Sequence, residues 1–113
     1  MIGRVKEEIE LMRRHVQILR SVVANQPIGI MKLSELLELP SHRIRYSLRV
    51  LEKMGYIQAS SAGAVATRAG ERLLEVLDEE IDRMIALLVQ MKGGGGDEGE
   101  NPSATFNTGK DNL

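Results

Sequence analysis

The stretch LSELLELPSHRIRYSLRVLEKMGYIQ, residues 33–58, decides how the rest of the chain is interpreted. Its leucines predict a short helix over 32–39, and Leu39-Pro40 ends that helix because proline lacks an amide hydrogen and restricts its predecessor. A longer helix follows over 41–54, with Ser41 as the predicted N-cap and Gly55 as the left-handed residue after it. The stretch therefore predicts two consecutive helices joined by a tight turn.

The longer helix has one apolar side and one polar side. At about 100° per residue, Ile44, Leu48 and Leu51 cluster and are expected to face a core. The remaining surface carries polar and basic side chains, and segment 41–53 has a net charge of +3, from four basic residues against Glu52. A helix with such an outer face fits the major groove of B-DNA, where arginine can bind guanine through two hydrogen bonds. The predicted DNA-contact residues on this helix are Ser41, His42, Arg43, Arg45, Tyr46, Arg49 and Lys53.

The flanking sequence adds two long helices and a hairpin. Residues 4–25 have an apolar residue every three or four positions until Gln26-Pro27, and residues 68–92 repeat the pattern after Thr67, the predicted cap. Between them, YIQAS and AVAT around Ser61-Ala62-Gly63 predict a tight β-hairpin. The shorter helix, 32–39, is expected to bury Leu33, Leu36 and Leu37 and to lie across the DNA backbone, with Lys32 and Ser34 near phosphates. The predicted fold class is mainly α with one small hairpin.

This arrangement resembles a known family. The stretch PIGIMKLSELLELPSHRIRYSLRVLEKMGYIQ and the later AVATRAGERLL are similar to the winged helix-turn-helix of archaeal transcriptional regulators. The resemblance implies that residues 42–49 make most base contacts and that the hairpin is the wing. Wings of this kind usually carry lysine or arginine, whereas this hairpin is uncharged. We therefore expect few wing contacts, made by Ser60, Ser61 and backbone amides, with Arg68 just beyond.

The apolar patterns of the two long helices predict a homodimer. A unit of about 60 residues cannot cover both patterns, and contiguous exposed apolar surface marks an interface. A two-fold pair would bury them and would place two recognition helices about one DNA turn, ~34 Å, apart. The predicted interface residues are Val5, Ile9, Met12, Val16, Leu19, Leu77, Ile81, Met84, Leu88 and Met91.

Composition argues against several other classes of protein. The 113 residues include no cysteine and two histidines, so disulfides and common zinc sites lack ligands. No apolar run approaches the ~20 residues of a membrane helix, and acidic residues interrupt any signal peptide near the N-terminus. We expect a cytoplasmic protein with no cofactor, no metal and no membrane partner. No enzyme is expected, because neither histidine has an evident catalytic partner.

The domain expected is a winged helix-turn-helix over 1–92, divided into a dimerisation helix (1–25), the helix-turn-helix and wing (26–67) and a second dimerisation helix (68–92). The glycine-rich, acidic segment 93–113 is expected to be a disordered tail. The predicted function is a DNA-binding transcriptional regulator, in the first instance a repressor. Two alternatives stay open: an architectural DNA-binding protein with little sequence preference, and a winged-helix module that binds another protein. The sequence identifies no small-molecule effector.

Overall fold

A computed structural model describes residues 1–94 of the chain. Six elements follow one another: α1 (Ile2–Asn25), α2 (Ile30–Leu37), α3 (Ser41–Lys53), β1 (Ile57–Ser60), β2 (Gly63–Ala66) and α4 (Arg68–Gln90). This order of helices and hairpin is the winged helix-turn-helix fold that the sequence predicts. The chain divides into two structural units, the first spanning Met1–Glu75 and the second beginning at Val76, inside α4.

The first unit has an aliphatic core to which every element before α4 contributes. Ile18, Leu19 and Val22 of α1 are buried together with residues of α2, α3 and β1. Leu73 and Leu74, in the first part of α4, are half-buried against the same cluster. Each fully buried aliphatic side chain contributes about 1.5–3 kcal/mol to stability. This core therefore holds α3 on a rigid support.

Helix α2 ends at a left-handed residue, and a short turn leads from there to α3. Glu38 has a left-handed backbone, with φ 55° and ψ 46°, and its N–H donates to the carbonyl of Ser34. The helix stops at Leu37, two residues before the predicted end, and it begins at Ile30, two residues before the predicted start. Leu36 was expected to be buried, but it is half exposed at 50%, since it lies on the outer side of this two-turn helix. Three residues connect α2 to α3.

The hairpin is antiparallel, with Ile57 opposite Ala66 and Ser60 opposite Gly63, so its loop is Ser61-Ala62. A third piece joins it, because Ile28 and Ala64 exchange two backbone hydrogen bonds of 3.1 and 2.8 Å. Ile28 is the one residue of the segment between α1 and α2 that takes part in this bridge. Gly63 has φ 133°, and a Cβ there would lie 2.6 Å from the Ile28 backbone. Glycine is therefore required at this position.

The start of α4 is held against the helix-to-strand turn at Gly55-Tyr56. The Thr67 N–H donates to the Tyr56 carbonyl at 3.0 Å, and the Thr67 hydroxyl donates to the Gly55 carbonyl at 2.6 Å. That hydroxyl also accepts the Gly70 N–H at 3.1 Å, which confirms Thr67 as the cap. Gly55 has the predicted positive φ, 86°.

Three sequence predictions about local structure need correction or stay untested. Ser41 is the first residue of α3 and Pro40 holds the N-cap position without a side-chain hydrogen bond, so Ser41 does not cap the helix. Helix α1 begins at Ile2 and not at residue 4. The predicted disordered tail, 93–113, lies almost entirely outside the described residues and stays a prediction.

Two of the predicted interface residues are buried within their own chain. Leu19 is 0% exposed and belongs to the core, and Leu77 is only 5% exposed. A side chain with no remaining surface cannot bury area against a second copy, so both are removed from the predicted interface. The other predicted members are exposed or half-buried: Val5, Ile9, Met12, Val16, Ile81, Met84, Leu88 and Met91.

Candidate nucleic-acid interface

Helix α3 presents a continuous polar face to solvent. Ile44, Ser47 and Leu51 are buried on its inner side, and Leu48 is half-buried beside them. All four basic residues of the helix are exposed, namely Arg43, Arg45, Arg49 and Lys53, and so are His42 and Tyr46. The inner and outer faces therefore lie where the sequence pattern places them. The polar face begins at the N-terminal end of α3, next to the α2–α3 turn.

A buried polar contact, which the sequence analysis missed, holds α3 against α1. Ser47 is fully buried, and its hydroxyl oxygen accepts the Nε–H of Arg14 at 3.1 Å. The same hydroxyl lies 2.9 Å from Nδ1 of His15. The Arg14 Nε–H is always a donor, and a hydroxyl oxygen can accept two hydrogen bonds. The Ser47 hydroxyl therefore either donates to Nδ1 of a neutral His15 ring or accepts a second hydrogen bond from it, depending on the tautomer. A serine between Ile44 and Leu51 on the inner side of α3 was the available signal, since a buried hydroxyl needs partners.

His15 links this contact to the polar face of α3. It is half-buried, and its ring centre lies 6.1 Å from that of Tyr46 at an interplanar angle of 37°. Desolvation by burial, and secondly the charge of Arg14, lower the pKa of His15 below its ordinary value of 6.5. The neutral ring that this favours is the form that accepts the Ser47 proton. Tyr46 thus lies beside α1.

The family follows from residues 11–81, which match the model of the CggR N-terminal DNA-binding domain. The chain belongs to this family. The match covers 71 of the 113 residues and includes α2, α3, the hairpin and the first part of α4. A comparison with curated proteins found no match. The CggR-type domain is a DNA-binding domain of transcriptional regulators, which confirms that part of the predicted resemblance; the archaeal part stays a prediction.

Two hydroxyls predicted to contact phosphate form hydrogen bonds within the CggR-type domain itself. The Ser34 hydroxyl donates to the Leu39 carbonyl across the α2–α3 turn. The Ser60 hydroxyl donates to the Gly63 carbonyl at 2.6 Å and accepts the Ala62 N–H at 3.2 Å, which closes the hairpin loop. A hydroxyl has one proton and a phosphate oxygen only accepts, so neither serine can donate to phosphate in this conformation. Both hydroxyls are engaged within the chain, and their contact with phosphate stays a prediction.

The other residues of the CggR-type domain that are predicted to contact DNA are exposed or half-buried. Ser61 in the hairpin loop and Arg68 at the start of α4 are exposed, and Ser41 is half-buried. Lys32 is exposed, with Nζ 3.9 Å from a Glu35 carboxylate oxygen. An exposed pair of this length is worth at most about 1 kcal/mol, so the lysine is easily released to another anion.

Residues 1–94 offer no group of three or more acidic, histidine or cysteine side chains that could bind a metal ion. Over the same range, no helix is long and apolar enough to cross a membrane. The prediction that the chain is not an enzyme agrees with its membership of a family of DNA-binding domains.

Proposed function

We propose that this chain is a transcriptional regulator that binds double-stranded DNA as a homodimer, with α3 in the major groove. The observation that carries the proposal is the rigidly supported basic face of α3, in a chain that belongs to a DNA-binding family. Ile44 and Leu51 anchor the inner side of α3 in the core. The helix is therefore already ordered before it binds DNA, and little conformational entropy is lost on binding. A helix of this diameter enters the major groove without deforming B-DNA.

The roles of the side chains follow from their position along α3. In a helix-turn-helix, residues near the N-terminus of the recognition helix contact base edges. We therefore assign base contacts to His42, Arg43, Arg45, Tyr46 and Arg49, with guanine as the preferred partner of the arginines. Contacts to phosphate are assigned to the outlying groups: Lys32, Ser41, Lys53, Ser61 and Arg68.

The homodimer is supported by exposed apolar side chains on both terminal helices. On α1, Ile2, Val5 and Ile9 recur every three or four residues, and Val5 is 46% exposed. In the second unit, Met84, Leu88 and Met91 repeat the pattern on α4, and Leu88 is 44% exposed. Apolar stripes of this kind are rare on the surface of a monomer. A two-fold pair would cover them and present two copies of α3 to a palindromic site.

The DNA-binding part is tested by replacing arginines on and off the polar face. Arg45→Ala combined with Arg49→Ala should weaken binding to the cognate duplex by at least ~30-fold, because two base contacts of about 1–3 kcal/mol each are lost. The charge-matched control combines Arg4→Ala with Arg83→Ala, two exposed positions outside α3. Equal affinities for the two double variants in a mobility-shift titration would refute the assignment of α3.

Dimerisation is tested by light scattering on the purified chain. Met84→Glu combined with Leu88→Glu places two charges in the proposed interface and should convert the dimer into a monomer. Ala86→Glu is the control, because residue 86 lies roughly opposite this stripe at ~100° per residue and is exposed. A monomeric wild-type chain, or a dimer that persists in the double variant, would contradict the proposed interface.

Repression is proposed because a dimer bound over consecutive major grooves excludes other proteins from the same DNA. A reporter gene behind the chain's own binding site should be expressed at a lower level when the chain is present. The Arg45→Ala and Arg49→Ala double variant should restore expression. Higher expression with the wild-type chain would identify an activator instead.

The uncharged hairpin loop favours a second candidate, an architectural DNA-binding protein. With Ser61 and Ala62 at its tip, the wing adds little to recognition. The two functions differ in the ratio of affinities for specific and random duplexes of equal length. A ratio of about 10³ or more supports the regulator, whereas a ratio near one supports the architectural role.

A further inference from the structure

A charged groove of about 680 Å³ lies between α1 and the N-terminal end of α3. Residues of α1 from Gly3 to Gln17 form one wall, and Leu39 and Arg43 form the other. Both Leu39 and Arg43 border the α2–α3 turn, which is the end of α3 that a helix-turn-helix brings to DNA. The groove therefore opens beside the proposed DNA interface and is continuous with it through Arg43.

The charges of the groove favour a polyanion. Lys6, Arg13, Arg14 and Arg43 line it together with Glu7 and Glu10, a balance of four cations against two carboxylates. Arg13 pairs with Glu10 at 2.8 Å, which neutralises one of each. What remains is an excess of positive charge next to a helix already expected to lie against phosphates.

Arg14 is oriented for such a contact by the core. Its Nε–H is bound by the buried Ser47 hydroxyl at 3.1 Å, so the guanidinium is held in place while its two terminal nitrogens stay available as donors at the groove wall. A fixed guanidinium loses little side-chain entropy when it binds phosphate. Lys6 lies eight residues earlier on the same helix, about 12 Å away at ~1.5 Å per residue.

The groove and the proposed dimer interface use different sides of α1. Arg14 is five residues beyond Ile9, which places it about 140° around the helix axis at ~100° per residue. A second copy packed on the apolar stripe of α1 therefore leaves Arg14 accessible.

We propose that this groove is a second DNA-contact surface, in which Arg14 and Lys6 of α1 bind the phosphates that flank the bases contacted by Arg43 and the rest of α3. The proposal rests on the proposed function and extends its footprint beyond the helix-turn-helix. Contacts to phosphate carry no sequence information, so α1 would add affinity equally to every sequence.

The test compares Lys6→Gln and Arg14→Gln with Arg4→Gln, a basic position of α1 that does not line the groove. The affinity of the full chain for the cognate duplex, extended by one helical turn on each side, is measured by titration at several salt concentrations. Each groove variant should bind about three- to tenfold more weakly, and the slope of log affinity against log salt should become shallower by ~0.9. The loss should be the same on a random duplex, and Arg4→Gln should match the wild type.

Because Arg14→Gln also removes a partner of the buried Ser47, thermal melting checks that it is folded. If Arg14→Gln is not folded, the test depends on Lys6→Gln, which changes an exposed residue. Suppose that the folded groove variants keep the affinity and salt slope of the wild type, while the Arg45→Ala and Arg49→Ala double variant loses binding. This result would overturn the proposed DNA contact in the groove and leave the proposed function standing. No change in any variant would overturn both.

Discussion

At the scale of single residues, the positions that matter most are those where the chain comes very close to itself. Gly70 is the clearest case, because a Cβ there would lie 2.3 Å from the Tyr56 carbonyl oxygen. That approach lets the first turn of α4 seat against the end of α3. The buried Ser47 hydroxyl is the second case, since it satisfies two polar groups of α1 at once.

Gly70→Ala is expected to lower the free energy of unfolding by about 1–3 kcal/mol, as overpacked positions do, because backbone atoms cannot yield as a side chain would. Gly3→Ala is the matched control. It also lies in a helix, but its added Cβ meets nothing within 4 Å, so the change should be neutral or slightly stabilising. Urea denaturation of both variants measures the difference, and equal stabilities would show that the Gly70 contact relaxes at no cost.

His15 is expected to make stability depend on pH. The folded chain favours the neutral ring, since burial and Arg14 lower the pKa of His15 below the 6.5 of an exposed histidine. As the pH falls below 6.5, the unfolded chain therefore binds a proton at His15 before the folded chain does. The free energy of unfolding decreases over this pH range, down to the pKa of His15 in the folded chain. In the protonated ring both nitrogens are donors, so Nδ1 can then only donate to the Ser47 hydroxyl.

The measurement is the free energy of unfolding between pH 7.5 and 5 for the wild type and His15→Gln. The variant should lose a smaller part of its stability over this interval. His42→Gln is the control, because it removes the other histidine and leaves the His15–Ser47 contact in place. If the two variants and the wild type followed the same pH profile, His15 would not be the responsible group.

At the scale of elements, the two faces of α3 have different roles. The inner face is anchored in the aliphatic core through Ile44 and Leu51, and the outer face is exposed and basic. The same helix is therefore responsible for stability on one side and, in the proposed function, for DNA binding on the other. Changes on the two faces should have separable effects.

Ile44→Ala is expected to destabilise the fold by about 2–5 kcal/mol, because it leaves a cavity at a fully buried site. The adjacent Arg45→Ala should change stability by no more than ~0.5 kcal/mol, as exposed positions do, yet weaken DNA binding. Thermal melting and a mobility-shift titration on both variants measure the two effects. A large loss of stability in Arg45→Ala would contradict the division of faces.

At the scale of the whole molecule, the proposed homodimer links folding to assembly. Apolar side chains exposed on α1 and in the second unit on α4 would be covered only in the dimer. Any partner that binds the folded state alone stabilises that state by mass action. The stability of the chain should therefore depend on its own concentration.

The thermal midpoint of the wild type is expected to rise by several degrees over a 100-fold increase in protein concentration. In the Met84→Glu and Leu88→Glu double variant, the midpoint should be independent of concentration. Differential scanning calorimetry at three concentrations measures both. A wild-type midpoint that does not move would argue that the apolar stripes are not buried between two copies.

The order of the elements, the helix-turn-helix and the polar side of α3 could be predicted from local sequence patterns alone. Periodicity, prolines and capping residues act within a few positions, so Thr67, Gly55 and the stripe from Ile44 to Leu51 could be interpreted without neighbours. Periodicity shows which side of a helix is apolar, but it does not show what covers that side. Leu19 therefore looked like an interface residue until the structure placed it in the core.

Local patterns could not show which polar groups already form hydrogen bonds within the chain. The Ser34 and Ser60 hydroxyls close turns, and the Ser47 hydroxyl joins Arg14 and His15 across 33 and 32 residues of sequence. A hydroxyl has a single proton, so its availability depends on the acceptor that the fold brings within reach. Distances between residues far apart in sequence set that choice, and no local pattern encodes them.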